Sequence, residues 1–226
     1  APSLQVSLSS DISPKFREFE RTSTTVANAY LKAVVTHYLE RLEHALNDEG
    51  FSERLLIMQS SGGLLTPQLA REAPVRIIES GPAAGVLMAG IAGQAEGFDH
   101  VITFDMGGTT AKLGAVDGGS PAITSTFEID HVRYKKGSGL PINVPAVELL
   151  EIGAGGGSIA RVNMGMIEVG PRSAGAQPGP MCYGNGGDAP TVTDANVVLG
   201  YISPNSFNAG AMTLDAELAR SGIESQ

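Results

Sequence analysis

The chain has 226 residues, of which 42% are hydrophobic and 17% charged, which excludes a disordered chain and allows a sizeable core. A formal net charge of −9, few aromatic residues and no tryptophan disfavour nucleic acid and anionic membranes as partners. The single cysteine excludes an internal disulfide and a cysteine-based zinc cage, and it is typical of a reducing, cytoplasmic compartment.

The first quarter of the chain predicts a short strand over residues 6–12 and then a long helix. Thr22–Thr25 offers N-cap candidates, the helix runs to about Asn47, and Gly50 is a C-cap candidate. Apolar residues recur every fourth position and give this helix one apolar face: Val26, Tyr30, Val34, Tyr38, Leu42 and Leu46. No uncharged apolar stretch reaches the roughly 18 residues that a membrane span needs.

A buried strand is predicted over Leu55–Met58, closed by a turn at residues 60–63. A second helix is predicted from Ser80, with Pro82 at its first turn, to about Gln94. Free N–H groups at its start make Ser80 and Gly81 candidates for anion binding, although most helix starts would fit this description.

Three strands joined by glycine-rich turns are predicted next, over Val101–Phe104, Ala111–Val116 and Ala122–Phe127, as a β-meander. Glycine makes up about 13% of the chain against a usual 7%, and it falls in discrete runs that indicate backbone-shaping loops.

The first turn of the meander is the most informative motif. Gly107 and Gly108 allow a tight hairpin and expose N–H groups that can form an anion nest, and Thr109 and Thr110 add hydroxyl donors. Asp105, at the end of a buried strand, is placed to hold Mg²⁺ or to orient a water molecule. A P-loop is excluded because its motif is absent and a strand follows. An ordinary tight turn is the alternative.

A second glycine run covers Glu151–Ala160 and fits the dinucleotide pattern only formally, because a turn follows within a few residues. The functional interpretation is a backbone surface for a nucleotide base or ribose, and the alternative is a flexible or tightly packed loop. Its candidate cofactor-binding residues are Gly153, Gly155, Gly156, Gly157 and Ser158.

The last third predicts a hairpin over Ile159–Val169, a long Gly/Pro loop over residues 170–190, and a final helix at Thr193-Asp194. Asp194 is either a metal-binding or catalytic carboxylate or a helix cap. Cys182 is a weak candidate nucleophile, and the histidines form no ligand pattern. Arg133, Lys135 and Lys136 either steer anions or form a solvated face.

An ordered set of motifs across almost the whole chain resembles the hydantoinase A/5-oxoprolinase family, which also includes nucleotide-binding subunits of acetone carboxylase-type enzymes. The matching segments are residues 21–30, 58–63, 80–86, 104–112, 136–141, 151–160, 179–184 and 190–196.

The resemblance implies an α/β, actin-like (ribonuclease H-like) ATPase fold in which two lobes hold ATP and Mg²⁺. It implies a hydrolase that uses ATP to open a cyclic amide such as hydantoin or 5-oxoproline, with positioning and electrostatics supplied by the protein. In this scheme the hairpin from Asp105 to Lys112 resembles the second-lobe phosphate loop, and residues 153–158 resemble the adenosine-side loop. Asp105 and Asp194 are its candidate catalytic residues.

The family pattern also has a first-lobe phosphate loop, and here the Asp-x-Gly-Gly-Thr motif occurs once. We therefore expect a core fragment, inactive in isolation, with residues 1–97 as a helix and strand segment and 98–226 as the second-lobe region. Two alternatives stay open: an actin-like small-molecule kinase, and a non-catalytic module that docks a hydantoinase B-like subunit. Homo-oligomerisation is left open too.

Overall fold

The chain adopts an α/β structure in a computed structural model that describes residues 4–129 and 137–226, so Arg133, Lys135 and Lys136 lie outside the described residues. The α-helices are α1 (Ser9–Ile12), α2 (Glu18–Asp48), α3 (Pro67–Glu72), α4 (Ser80–Ala95), α5 (Val192–Val198) and α6 (Ala216–Glu224). The strands are β1 (Ile57–Met58), β2 (Leu64–Leu65), β3 (Val101–Met106), β4 (Ala111–Asp117), β5 (Ser120–Pro121), β6 (Ile123–Thr124), β7 (Phe127–Ile129), β8 (Leu140–Ile142), β9 (Ala146–Val147), β10 (Leu149–Ile152), β11 (Ser158–Asn163) and β12 (Met166–Ser173).

Two compact units divide the chain. Unit 1 consists of Ala1–Thr103 and Leu113–Leu150, and unit 2 consists of Phe104–Lys112 and Glu151–Gln226. The chain passes from one unit to the other within β3, β4 and β10. The division into segments 1–97 and 98–226 stays a prediction.

The N-terminal strand prediction was wrong. The amides of Asp11 and Ile12 both donate to the carbonyl of Leu8, which closes the single helical turn α1. Val6 and Leu8 are more than half exposed and only Ile12 is buried, so the alternation of an amphipathic strand is missing.

The long helix α2 begins earlier than predicted, and the N-cap candidates therefore lie inside it. The hydroxyl groups of Thr24 and Thr25 donate to carbonyls four residues back instead. The predicted apolar face is largely exposed, with Tyr30 at 79%. The buried side chains of α2 are Thr24, Asn28 and Leu39.

Asn28 explains why the polar face of α2 turns inward. Its amide oxygen accepts a hydrogen bond from the Val75 amide at 3.2 Å, and its amide nitrogen donates to the Glu72 carbonyl at 3.2 Å. Buried polar groups that are hydrogen-bonded in this way are stable, whereas hydrophobic periodicity alone gives no sign of them.

Helix α4 is confirmed, and its small side chains allow the close packing that the sequence indicates. A Cβ atom at Gly90 would lie 3.3 Å from the Val116 side chain, and one at Gly93 would collide with Val101. The buried residues Ala83, Val86, Val116 and Val147 form the core cluster between α4 and the strands of unit 1.

The meander is confirmed only in its first two strands. Strand β4 pairs with β3 on one side and with β10 on the other, and β5 adds two residues to β4. The predicted third strand, 122–127, is divided: β6 pairs with β9 and β7 pairs with β8. The strand predicted over Leu55–Met58 is reduced to half-buried β1, which pairs with β2 across the expected turn.

Unit 2 contains the confirmed β11–β12 hairpin and the helices α5 and α6. Its core joins Cys182 and Val197 to Leu214 and Ala219 of the C-terminal segment. Helix α6 is an element that the sequence prediction omitted. Among the helices of the described ranges, none has the length and apolar character needed to cross a membrane.

Candidate functional site

The hairpin between β3 and β4 has unused hydrogen-bond donors at its tip. The Gly107 amide donates to the Thr110 carbonyl at 2.9 Å and closes the turn. Within residues 4–129 and 137–226, the next two amides, of Gly108 and Thr109, donate to no protein acceptor, and both residues are exposed. Two consecutive exposed N–H groups of this kind are suited to bind the oxygens of an anion.

The two glycines of the tip are not required by the turn, contrary to the sequence interpretation. Neither Gly107 nor Gly108 is among the glycines with positive φ. A Cβ atom at Gly108 would meet nothing within 4 Å, and one at Gly107 would lie 3.6 Å from the Thr110 carbonyl oxygen. The fold would therefore accept a side chain at either position, and what glycine supplies is open access to the amides.

Asp105 lies within β3, one residue before its end, and it is exposed rather than at the end of a buried strand. The strand is exposed because its one partner among the described residues is β4, and Ile102 is 80% accessible. The Asp105 carboxylate forms no hydrogen bond or ion pair in the described part of the chain. That part also contains no group of three or more His, Cys, Asp or Glu side chains suited to a metal ion.

The second glycine run packs directly against the hairpin. The Gly156 amide donates to the Gly107 carbonyl at 2.9 Å, and the Gly157 amide donates to the Gly108 carbonyl at 2.7 Å. A Cβ atom at Gly155 would lie 2.6 Å from the Thr109 nitrogen. The tightly packed loop is therefore the interpretation that the structure bears out for these residues.

The four consecutive amides from Gly155 to Ser158 are all occupied. Gly155 donates to the Ser158 hydroxyl at 2.8 Å, and Ser158 donates to the Gly155 carbonyl at 2.9 Å. Strand β11 begins at Ser158, so no helix follows and the dinucleotide pattern is excluded, as the sequence indicated. Contact of half-buried Gly153 and this loop with a base or ribose stays a prediction.

Lys112, at the start of β4, has a largely buried side chain whose Nζ lies 3.9 Å from the Glu151 carboxylate. Ser80 and Gly81 are the first two residues of α4 in unit 1, and within residues 4–129 and 137–226 no side-chain cap hydrogen bond is formed at this helix start. The hairpin, the glycine run and the start of α5 all lie in unit 2, whereas Ser80 and Gly81 do not.

Asp194 is fully buried and forms, together with Thr191, the capping box at the start of α5. Its carboxylate accepts hydrogen bonds from the amides of Met181, Cys182 and Thr191 and from the Thr191 hydroxyl, at 2.7–3.2 Å. The Thr191 hydroxyl in turn accepts from the Asp194 amide, which completes a capping box. The capping interpretation is confirmed, and a catalytic or metal role for Asp194 stays a prediction.

Cys182 is fully buried beside Asp194. Burial, followed by the neighbouring carboxylate, raises the pKa of its thiol to about 12. A thiol with this pKa is not a nucleophile at neutral pH, because the thiolate is the reactive form.

We expect native Cys182 to react with iodoacetamide at pH 8 about a thousandfold more slowly than in the unfolded chain, since a rise in pKa from 9.0 to about 12 lowers the thiolate fraction by that factor. Mass spectrometry of timed aliquots, with and without urea, measures the two rates. Rapid labelling of the native protein would contradict this environment.

Thr193 is a contact that sequence reasoning missed. Both its amide and its hydroxyl donate to the Gly156 carbonyl, at 2.8 and 2.9 Å. The sequence identified Thr193 only as a helix start. No local pattern predicts a bond to a residue 37 positions away.

The sequence of this chain is similar to those of known proteins. Residues 21–226 match the Hydantoinase/oxoprolinase family. The alpha subunit of caprolactamase from Pseudomonas jessenii is 41% identical over 226 residues, which is 100% of this chain and 31% of that protein.

Two solved structures are similar. Nucleotide-free acetone carboxylase, from a study of ATP-dependent acetone carboxylation, has a TM-score of 0.75 and 29% identity over 96% of this chain and 30% of its own. ATP-dependent caprolactamase from Pseudomonas jessenii has a TM-score of 0.71 and 40% identity over 97% of this chain and 31% of its own. The chain thus spans about a third of the length of these relatives.

Proposed function

Because the chain belongs to the hydantoinase/oxoprolinase family, we propose that it is part of an ATP-dependent hydrolase that opens a cyclic amide of the hydantoin or 5-oxoproline type. Within this activity, the Asp105 hairpin binds the phosphates of ATP. The related caprolactamase and acetone carboxylase are both named as ATP-dependent, which supports nucleotide use over any one substrate. An actin-like ATPase fold for the whole protein is part of the same proposal, and it rests on the sequence motifs that resemble the family.

The observation that carries the proposal is the pair of amides at Gly108 and Thr109 that donate to no acceptor among the described residues. Both amides are exposed and they are consecutive in the chain. Gly108, which bears the first of them, has no side chain although the fold has room for one. In an acidic chain, backbone N–H groups provide positive partial charge for a polyphosphate without a basic patch.

The donor set at the hairpin fits Mg²⁺ bound together with ATP. Mg²⁺ in nucleotide sites is held by one or two carboxylates, by water and by phosphate oxygens, and Asp105 supplies an exposed carboxylate without a protein partner in the described residues. A bound Mg²⁺ would supply positive charge that neutralises phosphate oxygens. Lys112 adds a positive charge in the same unit.

In the proposed reaction the amide oxygen of the ring attacks the γ-phosphorus and ADP leaves. Water then adds to the activated carbon and the ring C–N bond breaks, with a proton of that water passing to the nitrogen, which leaves an acyl phosphate. A second water attacks the carbonyl carbon of the acyl phosphate, and phosphate departs with the oxygen that it received. The residues of this chain bind and orient the polyphosphate, so their contribution is positioning and electrostatic stabilisation. The caprolactamase relative is named as a subunit, which supports a multi-subunit enzyme, and we propose a hydantoinase B-like chain as the partner.

Calorimetric titration with ATP tests the site directly. We expect Asp105→Asn to weaken Mg-ATP binding about tenfold or more, because the exposed carboxylate is lost as a ligand, and to change ATP binding in EDTA much less. Asp48→Asn, at the exposed end of α2, is the matched control for charge.

Equal affinity of wild type and Asp105→Asn for Mg-ATP would overturn the metal role. Absence of Mg-ATP binding to the wild type, with binding to a partner subunit unaffected by Asp105→Ala, would instead favour a non-catalytic interaction module.

A further inference from the structure

The amides of Gly108 and Thr109, which have no acceptor in the part of the chain that the structure describes, each belong to a peptide unit whose carbonyl already accepts a hydrogen bond. The Gly107 carbonyl shares its peptide unit with the Gly108 amide, and the Gly108 carbonyl shares its unit with the Thr109 amide. Both carbonyls accept from the glycine run, at 2.9 and 2.7 Å. Accepting at the oxygen polarises a peptide unit and makes its N–H a stronger donor.

One of these contacts continues back to α5. The Gly157 amide, which donates to Gly108, shares its peptide unit with the Gly156 carbonyl, and that carbonyl accepts from both the amide and the hydroxyl of Thr193. The chain of donors therefore runs from Thr193 through two peptide units to the unpaired amide of Thr109.

A parallel chain does not involve Thr193. The Ser158 amide donates to the Gly155 carbonyl, the Gly156 amide of the same peptide unit donates to Gly107, and the unpaired amide of Gly108 follows. Both series of hydrogen bonds pass through two peptide units and end at an amide of the hairpin tip. The second series therefore provides an internal reference for the first.

The hydroxyl of Thr193 is not part of the helix cap. The capping box of α5 is formed by Thr191 and Asp194, and Thr193 is only 7% exposed. Its hydroxyl bonds to the Gly156 carbonyl alone among the described residues. A buried hydroxyl with this one partner acts on the glycine run rather than on its own helix.

We propose that Thr193 is a positioning residue for the anion-binding amide of Thr109, acting through the Gly156–Gly157 and Gly108–Thr109 peptide units. It fixes the glycine run against the hairpin and strengthens the Thr109 donor towards a phosphate oxygen. The effect is preorganised, because every bond of the chain is present before a ligand arrives. This role rests on the proposed binding of ATP phosphates at the hairpin.

The test compares Thr193→Ala with Thr193→Ser, which differ only by the hydroxyl group. In ligand-free protein, NMR should show the Thr109 amide proton moving upfield in Thr193→Ala and returning in Thr193→Ser, with the Gly108 amide proton as the unmoved reference. Calorimetry with Mg-ATP should show a Kd raised roughly three- to tenfold in Thr193→Ala alone, since one hydrogen bond of the chain is lost. The isosteric Thr193→Val repeats the comparison if Thr193→Ala does not fold.

An unchanged Thr109 resonance in Thr193→Ala, or a Kd equal to that of the wild type, would overturn the positioning role alone. A wild type that does not bind Mg-ATP would overturn the proposed function together with this role. A general loss of structure would move the Gly108 and Thr109 resonances together. A positioning effect through the hydrogen-bond series from Thr193 would move only the Thr109 resonance.

Discussion

Alanine at Gly108 should leave the protein folded and weaken its binding of Mg-ATP roughly 10- to 150-fold. The backbone at this position lies outside the positive φ range, and a Cβ atom would have no neighbour within 4 Å, so the substitution costs no strain. It should even add about 0.4–1 kcal/mol to the free energy of unfolding, because alanine restricts the unfolded chain. A methyl group beside the Gly108 and Thr109 amides hinders approach of a phosphate, and a hydrogen bond to a charged group is worth about 1.5–3 kcal/mol.

Gly85→Ala is the matched control for Gly108→Ala. It introduces the same methyl group at an exposed glycine that also has open space around it, in helix α4 of unit 1. We expect it to stabilise the protein by up to about 1 kcal/mol and to leave Mg-ATP affinity unchanged. Calorimetric Kd values and urea midpoints measure both effects. A Gly108→Ala protein that binds Mg-ATP like the wild type would show that the tip amides are not the phosphate site.

The parts of the fold that the sequence predicted are those with local signals. Strands β3 and β4 are joined by a short turn, and the β11–β12 hairpin is closed by Gly165 with a φ of 78°. Helix α6 also had a local signal, since the Asp215 side chain accepts from the amides of Glu217 and Leu218 as an N-cap. That helix was within reach of sequence reasoning and was missed.

The partners of the strands could not be read from the sequence. Strand β10 pairs with β4 although more than thirty residues separate them, and the apolar run 122–127 serves two different partners. Pairing between distant strands depends on which strand edges and apolar faces stay exposed after local structure has formed. A single sequence does not show directly which edges and faces these are. The exposed face of α2 has the same cause, because hydrogen-bonded Asn28 turned a polar face inward.

The glycines of the candidate site illustrate the same limit at the level of single residues. Gly108 and Gly155 look alike in the sequence, since each stands in a glycine run. In the structure, a Cβ atom at Gly155 would lie 2.6 Å from the Thr109 nitrogen, whereas one at Gly108 would meet nothing. Packing therefore requires a glycine at position 155 but not at position 108. Only at Gly108 does the absence of a side chain point to the binding of a ligand.

Asp194→Ala should lower the free energy of unfolding by about 3 kcal/mol or more, which is the largest effect on stability that we expect. The substitution leaves three buried or half-buried amides without an acceptor, those of Met181, Cys182 and Thr191, and each unsatisfied donor costs about 1–3 kcal/mol. Asp215→Ala is the control, because it removes an exposed N-cap aspartate from the same unit, where a loss of about 1 kcal/mol is typical. Urea unfolding followed by circular dichroism measures both values.

Asp194→Asn separates the structural role of this carboxylate from the catalytic one. One carboxylate oxygen accepts from the Cys182 amide and the other from Met181 and Thr191, so an asparagine must place its NH₂ group against at least one donor. The structural role therefore predicts substantial destabilisation by this nearly isosteric change, with a urea midpoint well below that of the wild type. Wild-type stability of Asp194→Asn, together with a loss of ATP-dependent turnover in the assembled enzyme, would contradict this structural role and support the catalytic role, which stays a prediction.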